Sequence, residues 1–457
     1  MINRFFLFCG RMDHSIMCVP QSPKYFLTTF GCQMNQADAQ RIRGMLTSIG
    51  YEESASEDDA DLILFNTCCV REHAEQRLIS RIQSLQRLKK SNRELLIGIA
   101  GCVAQAKKER LFEMLPHVDL VFGPNDIPSL PLLLQHARTR KATGAFAAIG
   151  GFDGEQADGI ILEKPFSALV NIIRGCTNFC SYCIVPHVRG PEVSRPLPEL
   201  VDFITALAGK GVVEVTLLGQ NVNAYGKDIG LEEGFITLLE RVEEIPGIQW
   251  VRFLTSHPRD FSFQAVERMS RLRKLCEMFH LPAQAGSDRI LRLMNRGYTR
   301  RRYLDLVEHV RTAVPGACIT TDLICGFPTE TEAEFEETLS LVREVRFESA
   351  YTYYYSPREG TPAASMEGIL PESDRKARLS RLIEVQNAIS EEESAKQVGR
   401  TFDVLVDGSS DRSPGHLLGK TRTGRVVDFP GSSDLIGRFV RVKIDRARLW
   451  TMSGTLV

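Results

Sequence analysis

The chain is predicted to be an α/β protein in three parts: an N-terminal open α/β sheet domain, a central partial (β/α)6 barrel and a small C-terminal β-barrel. Three observations carry this prediction. From residue 24 to about 395, apolar runs of strand length alternate with helix-length amphipathic segments, the pattern of parallel βαβ units. The alternation breaks once, at 141–165, in a stretch rich in glycine and small residues that reads as a linker. Beyond 395 short alternating runs separated by Gly and Ser turns take over, as in a small β-barrel. The expected divisions are a leader at 1–23, either disordered or an artefact of start-site choice, a first domain at 24–140, the linker at 141–165, a barrel at 166–395 and a terminal module at 396–457.

Composition narrows the class without naming a function. The 457 residues are 43% hydrophobic and 25% charged, ordinary for a globular protein of about three domains. No apolar stretch approaches the roughly 20 residues of a membrane span, and the run from Phe5 to Cys9 is too short for a signal peptide. Twelve cysteines in so long a chain are not a dense disulfide framework. Their grouping suits metal binding in a reducing compartment, so a cytoplasmic protein is expected. Cys9 and Cys18, in the leader, are given no ligand role.

In the first domain three apolar runs each close on a thiol: Lys24 to Cys32, Asp61 to Cys68 and Leu95 to Cys102. With helical patterns at 37–50, 72–90 and 105–115 between and after them, these runs read as parallel strands. Ligands of open α/β sheets bind at the carboxyl ends of the strands, so Cys32, Cys68 and Cys102 can converge on one cofactor although about 35 residues separate neighbours. Free cysteines are also common in buried strands, which is the plainer account of any one of them. The adjacent thiols Cys68 and Cys69 must face opposite ways in an extended segment, so only one of them can join the set.

After the linker comes Arg174-Gly-Cys-Thr-Asn-Phe-Cys-Ser-Tyr-Cys, which sets Cys176, Cys180 and Cys183 in a C-x3-C-x2-C spacing. Three thiolates for the four irons of a [4Fe–4S] cluster leave one iron open, and an open metal position binds a reacting molecule. A zinc site completed by a distant ligand, or chance thiols in a core, are the alternatives. Candidate barrel strands follow at 166–174, 213–220, 250–255, 278–284, 317–325 and 349–355, which puts Cys176 just beyond the first, where βα-loops carry chemistry. The acidic run from Thr329 to Thr338 reads as a helix start capped by Thr331 and Glu334 rather than as a catalytic cluster. Net charge is −1 overall, but Lys396–Val457 holds eleven basic and six acidic side chains. A basic terminal barrel points to an RNA-holding module, with a merely solvated surface as the alternative.

Several motifs together resemble one family. Gly31-Cys-Gln-Met-Asn-Gln, Asn66-Thr-Cys-Cys-Val-Arg-Glu, Gly101-Cys-Val-Ala-Gln, Val188-Arg-Gly-Pro-Glu-Val-Ser-Arg, Leu217-Leu-Gly-Gln-Asn-Val-Asn, Leu254-Thr-Ser-His-Pro, His280-Leu-Pro-Ala-Gln-Ala-Gly-Ser-Asp, Leu293-Met-Asn-Arg and Tyr355-Ser-Pro-Arg-Glu-Gly-Thr-Pro-Ala resemble the radical S-adenosylmethionine (SAM) methylthiotransferases of the MiaB family, from about residue 24 onward. The resemblance implies an auxiliary [4Fe–4S] cluster on the N-terminal domain, a radical SAM barrel with a second [4Fe–4S] cluster, and a C-terminal TRAM domain that holds tRNA. It implies conversion of N6-isopentenyladenosine at position 37 of tRNA to the 2-methylthio derivative, one SAM serving as radical source and another as methyl donor. Position 2 of adenine bears an unactivated C–H, which calls for radical chemistry from a cofactor rather than a side-chain base. The motif alignment selects Cys68 over Cys69. Cys69, Pro191 and Cys325 depart from the usual family residues.

From the same resemblance, Gly219, Gln220 and Asn221 meet the amino group of SAM, and Arg195 can meet its carboxylate through its fork. Ser256, Gln284 and Asp322 are candidates for SAM or adenine contacts, and His257 reads as structural rather than as a base. Lys420, Arg422, Arg425, Arg441 and Lys443 are the candidate RNA contacts. The implied partners are tRNA carrying isopentenylated adenosine 37 and a reducing donor such as flavodoxin or ferredoxin, with no membrane and a monomeric chain. Sister methylthiotransferases that act on threonylcarbamoyladenosine or on a ribosomal protein stay open, as does a non-catalytic iron–sulfur protein that binds RNA.

Overall fold

A computed structural model describes residues 22–68, 72–139, 142–147, 152 and 156–457. Cys9, Cys18 and Cys69, with the leader up to residue 21, lie outside the described residues. The first domain is a six-stranded parallel sheet of β1 (Lys24–Thr29), β2 (Glu52–Glu53), β3 (Leu62–Thr67), β4 (Leu96–Gly101), β5 (Leu120–Phe122) and β6 (Thr143–Ala145), in the order β2-β1-β3-β4-β5-β6. Every side chain of β3 and β4 is buried, as strands covered by helices on both faces require. The edge strand β6 falls inside the stretch expected to be only linker. Three residues of Thr-Gly-Ala suffice because β5 supplies the ladder partners.

In the second domain β7 (Ser167–Asn171) is followed by a two-residue antiparallel ladder of β8 (Ile173–Arg174) with β9 (Val193–Ser194), and the cysteine loop hangs between these two. The predicted strand 166–174 is thus broken at Ile172. Parallel strands β10 (Glu214–Leu218), β11 (Trp250–Phe253), β12 (Met278–His280), β13 (Cys318–Cys325) and β14 (Ser349–Tyr354) complete six. They pair as β7-β10-β11 and β12-β13-β14, and a single parallel bridge between Val251 and Leu275 joins the two halves. Among the described residues β7 and β14 form no ladder with each other, so the arc is open. Helices such as Leu197–Gly209, Arg300–Ala313 and Glu332–Val345 bury their apolar stripes against the strands in one continuous core. Thr331 and Glu334 form a reciprocal capping box at the start of the last of these, which assigns the acidic run to helix initiation.

The C-terminal module closes on itself through β15 (Thr401–Ser409), β16 (His416–Thr421), β17 (Val426–Pro430), β18 (Phe439–Ala447) and β19 (Thr451–Leu456), ordered β15-β16-β17-β19-β18. Closure leaves no free sheet edge. Phe166, Trp250 and Cys276, at the amino ends of barrel strands, pack on Leu405 and Phe439, and the Trp250 and Phe439 rings meet edge to face at 4.7 Å. Arg252 pairs with Glu214 at 2.7 Å and donates to the carbonyls of Thr421 and Arg422 across this seam. The small barrel therefore sits at the end of the central barrel opposite the cysteine loop. Among the described residues no helix is long and apolar enough to cross a membrane.

Candidate active site

The register of the first sheet assembles the N-terminal cysteines. Thr29 lies beside Asn66 and Thr67 beside Gly101, so β1, β3 and β4 end level and release Cys32, Cys68 and Cys102 together. Two glycines permit the approach. At Gly31 (φ +133°) a Cβ would stand 2.4 Å from the Cys68 Cβ, and at Gly101 (φ +90°) it would stand 2.5 Å from Asn66 Oδ1 and 2.6 Å from the Thr67 carbonyl. Buried amides then lock the strand ends. Asn35 donates to Asn66 Oδ1 and to the Thr67 carbonyl, Asn66 donates to the Asn35 carbonyl at 2.7 Å, and Thr67 Oγ1 donates to the Ala100 carbonyl. Cys32 is exposed as a residue, yet its Sγ turns inward, 3.4 Å from Asn35 Oδ1. Its thiol is drawn down to about 6 by a hydrogen bond with Cys68, against burial and with help from the nearby Arg189 charge.

The central cysteines come from one loop, so their arrangement depends on what grips that loop. Cys176 N–H donates to the Gly190 carbonyl and Cys183 N–H to the Cys180 carbonyl. The segment Leu293 to Arg296 clamps the loop from outside. Ser181 donates through Oγ to the Leu293 carbonyl and through N–H to the Met294 carbonyl, and the Asn295 amide donates to the carbonyls of Asn178 and Phe179. Arg296, buried, donates to Cys180 Sγ at 3.3 Å and to the Pro282 carbonyl at 2.9 Å. Burial pushes the Cys176 thiol up to about 11 and the Cys183 thiol up to about 12. Cys180 and Cys183 line a cavity of about 600 Å³ with His187, Glu359, Thr361 and the exposed ring of Phe179. Among the described residues no three His, Cys, Asp or Glu side chains close on one point as the ligands of a single metal ion would, and a cluster offering a separate iron to each thiolate does not require it.

Both sets open toward the carboxyl ends of the barrel strands. Met34 and Ala37, on the helix that Cys32 begins, pack on Leu218 at the end of β10 and Leu254 just beyond β11. At those same ends lie buried polar atoms with no hydrogen-bond partner among the described residues: Asn171 Oδ1 at the end of β7, Gln220 Oε1 after β10, Ser256 Oγ and His257 Nε2 after β11, Gln284 Oε1 after β12 and Tyr355 Oη after β14. Unsatisfied buried groups are rare, and a ring of them at five strand ends asks for a polar ligand. Thr255 and Gln284, both at φ +68°, hold left-handed backbone there, a strain of about 1–3 kcal/mol each that collects at binding sites.

The residues predicted from sequence divide in two. Gln220, Ser256 and Gln284 belong to the unsatisfied ring, whereas Asn221 is fully engaged, donating to Asp260 Oδ2 and accepting from the His257 N–H. Gly219 packs against Ile173. Arg195 stacks over Phe203 at 4.2 Å within the layer between β9 and the next helix. Asp322, on β13, faces His280 Nε2 at 3.4 Å. The Arg259 N–H donates to His257 Nδ1, which puts the ring proton on the unpartnered Nε2, and burial lowers the imidazole to about 2, so it stays neutral. Asn171, Tyr355, Asn35, Arg189 and Arg296 were missed. Asn35, Arg189, Arg296 and Tyr355 all stand within the motifs that carry the resemblance, which was the local signal for them, whereas Asn171 had none.

On the small barrel Arg441 and Lys443 alternate with buried Val442 and Ile444 and are exposed. Lys420 pairs with Asp407, and Arg425 reaches Ser394. Arg422 is committed to the seam, paired with Glu277 and donating to the carbonyls of Arg273 and Leu275.

Residues 24–123 match the family described as Uncharacterized protein family UPF0004, residues 170–342 the Radical SAM superfamily and residues 395–457 the TRAM domain. The tRNA-2-methylthio-N(6)-dimethylallyladenosine synthase of Pelotomaculum thermopropionicum is 45% identical over 437 residues, covering 95% of this chain and 97% of that protein. A synthase of the same name from Carboxydothermus hydrogenoformans is 46% identical over 437 residues, covering 95% and 99%. Among solved structures, the radical S-adenosylmethionine methyltransferase TsrM from Kitasatospora setae superposes with a TM-score of 0.53 at 13% identity, covering 75% of this chain and 77% of that one. The cobalamin-dependent S-adenosylmethionine radical enzyme OxsB gives 0.52 at 11%, covering 81% and 58%. At those identities the likeness is one of fold.

Proposed function

This chain belongs to the family of tRNA-2-methylthio-N(6)-dimethylallyladenosine synthases, and from that premise we propose that it attaches a methylthio group to carbon 2 of N6-isopentenyladenosine 37 in tRNA. The observation that carries the reading is the meeting of two three-cysteine sets with a ring of unsatisfied polar atoms at one barrel mouth. Cys176, Cys180 and Cys183 would hold one [4Fe–4S] cluster and Cys32, Cys68 and Cys102 the other, with three thiolates supplied by each set. When bound, these clusters and SAM supply the one-electron cleavage of SAM and the sulfur and methyl groups that are transferred.

The chain's own part is binding, orientation and exclusion of water. Gln220, Ser256 and Gln284 orient SAM and the adenine through their open hydrogen-bonding atoms, joined by Asn171 and Tyr355. Neutral His257 offers an Nε2–H as a donor and is held in place by Asn221. Gly219 supports the strand-end turn, and Asp322 and Arg195 serve the mouth from its wall. Arg441 and Lys443 meet phosphates of the tRNA with Lys420 and Arg425 beside them, while Arg422 keeps the module docked. Because that module sits at the far end of the barrel, tRNA has to run along the barrel flank to present its base at the mouth. A flavodoxin- or ferredoxin-type donor reaches the central set by way of the cavity beside Phe179. We read residues 24–140, 166–395 and 396–457 as the working units of one cytoplasmic monomer.

Nucleoside mass spectrometry of tRNA from cells lacking the gene tests this. Loss of 2-methylthio-N6-isopentenyladenosine with build-up of N6-isopentenyladenosine is expected. Unchanged amounts of both would overturn the assignment.

A further inference from the structure

The helix Val185–Arg189 starts two residues after Cys183 and ends on a side chain that reaches into the first domain. Ile184 and Val188 leave the central domain and pack into the core of the first, in the cluster that includes Ile99, Cys102 and Val103. Arg189 completes the crossing. Its Nη2 donates to Asp38 Oδ2 at 2.9 Å, and its guanidinium lies in the electrostatic reach of the Cys102 and Cys32 thiols. The ion pair is sealed from water, with side-chain exposures of 4% for Arg189 and 2% for Asp38. Asp38 lies six residues after Cys32 on the helix that Cys32 begins, so one guanidinium holds the helix of one cysteine of the set and lays its charge near another. These partners stand 151 residues apart in sequence. A simple seam between domains has no need to bury a charge: apolar packing of the same volume is as stable, and a guanidinium is kept in such a place where a fork of directed donors has a task.

We propose that Arg189 is a positioning residue that ties the two cysteine sets together: from a helix rooted in the central loop it holds the helix that Cys32 begins and lays a permanent positive charge against the N-terminal set. The ligand role given above to Cys32, Cys68 and Cys102 underlies this. Hydrogen bonds and charge around ligating sulfurs set the reduction potential of a cluster, and a nearby cation favours its reduced, more negative state. Removing the cation therefore lowers the potential.

The test uses the full chain with Cys176, Cys180 and Cys183 changed to Ala, so that only the N-terminal set can bind iron. After anaerobic reconstitution, redox titration followed by electron paramagnetic resonance is compared for this parent and its Arg189→Met, Arg189→Lys and Asp38→Asn derivatives. The parent should take up about four irons per chain. The Met variant should titrate at a more negative potential than the parent, with the Lys variant between them. Asp38→Asn, which frees the fork but keeps the charge, should alter the spectrum of the reduced cluster more than its potential. Iron loss confined to the Arg189 variants supports positioning as well, and if Arg189→Met does not fold, the Lys and Asn variants decide. Iron bound at the same potential with the same spectrum throughout would leave Arg189 a mere interface ion pair. A parent that binds no iron instead refutes the ligand assignment, and the inference falls with it.

Discussion

Cys176, Cys180 and Cys183 arise within eight residues of one loop, whereas Cys32, Cys68 and Cys102 arrive from the ends of three strands. The difference decides what each set depends on. The local set has its spacing from sequence but no fold of its own, so its loop is gripped from a distance by Ser181, Asn295 and Arg296 contacts along the segment Leu293 to Arg296. The dispersed set depends on sheet register and on two glycines that let the strand ends close up. Each set nonetheless receives one buried arginine: Arg296 donates to Cys180 Sγ from within the same domain, and Arg189 brings its charge near Cys102 and Cys32 from the neighbouring one. Burial opposes the charge on both, and the thiols and their other partners keep both guanidiniums charged.

The largest expected effect separates the sets by function. With Cys176, Cys180 and Cys183 changed to Ala, formation of 5′-deoxyadenosine from SAM should vanish and iron should fall from about eight to about four per chain. With Cys32, Cys68 and Cys102 changed instead, iron should fall equally while SAM is still cleaved and no methylthio product forms. Persistent SAM cleavage in the first variant, or its loss in the second, would invert the division of labour. A smaller intrusion should reproduce the second pattern. In Gly101→Val the added Cβ meets Asn66 Oδ1 and the Thr67 carbonyl at a φ of +90°, and β3 and β4 cannot end side by side. Iron near four with SAM cleavage retained is the expected outcome.

That contrast also sorts what could be read in the sequence. The strand-end and single-loop placement of the six cysteines, the six barrel strands within a few residues and the Thr331–Glu334 cap were legible, because each is written in local spacing or in the period of apolar residues. The contacts of the arginines were not. Arg296 meets Cys180 across 116 residues and Arg189 meets Asp38 across 151, and no periodic pattern links residues so distant. The docking of the small barrel at the amino ends of the strands was hidden for the same reason, so Arg422 read as an RNA contact although Glu277 holds it at the seam. Edge strand β6 was lost in the composition of its own segment, since Thr-Gly-Ala has no strand signal apart from its partner β5.

Single amide deletions should sharpen the difference in robustness. Asn66→Ala strips the Asn35 carbonyl and amide of buried partners, at a cost of about 1–3 kcal/mol. Asn295→Ala removes two hydrogen bonds to the central loop, which Ser181 and Arg296 still hold. Calorimetric melting and iron content should show the first variant both less stable and poorer in the N-terminal cluster, and the second close to the parent. Equal losses in the two would mean that the loop is gripped no more redundantly than the strand ends.

The smallest effect is chemical and concerns the chain before it is loaded. In the iron-free protein the Cys32 thiol is drawn to about 6 by Cys68 and Arg189, whereas burial raises Cys176 to about 11 and Cys183 to about 12. The thiolate is the reacting form, so alkylation at Cys32 should climb through pH 6 and level off by about pH 7, with Cys176 and Cys183 still protonated and slow across that range and gaining only as pH rises beyond 9. Iodoacetamide labelling of the iron-free chain between pH 5 and 9, resolved by peptide mass spectrometry, reads each cysteine separately. Profiles at Cys32 and Cys176 that rise together would show that the two sets share one electrostatic setting, and that the Arg189 charge does not reach Cys32 in solution.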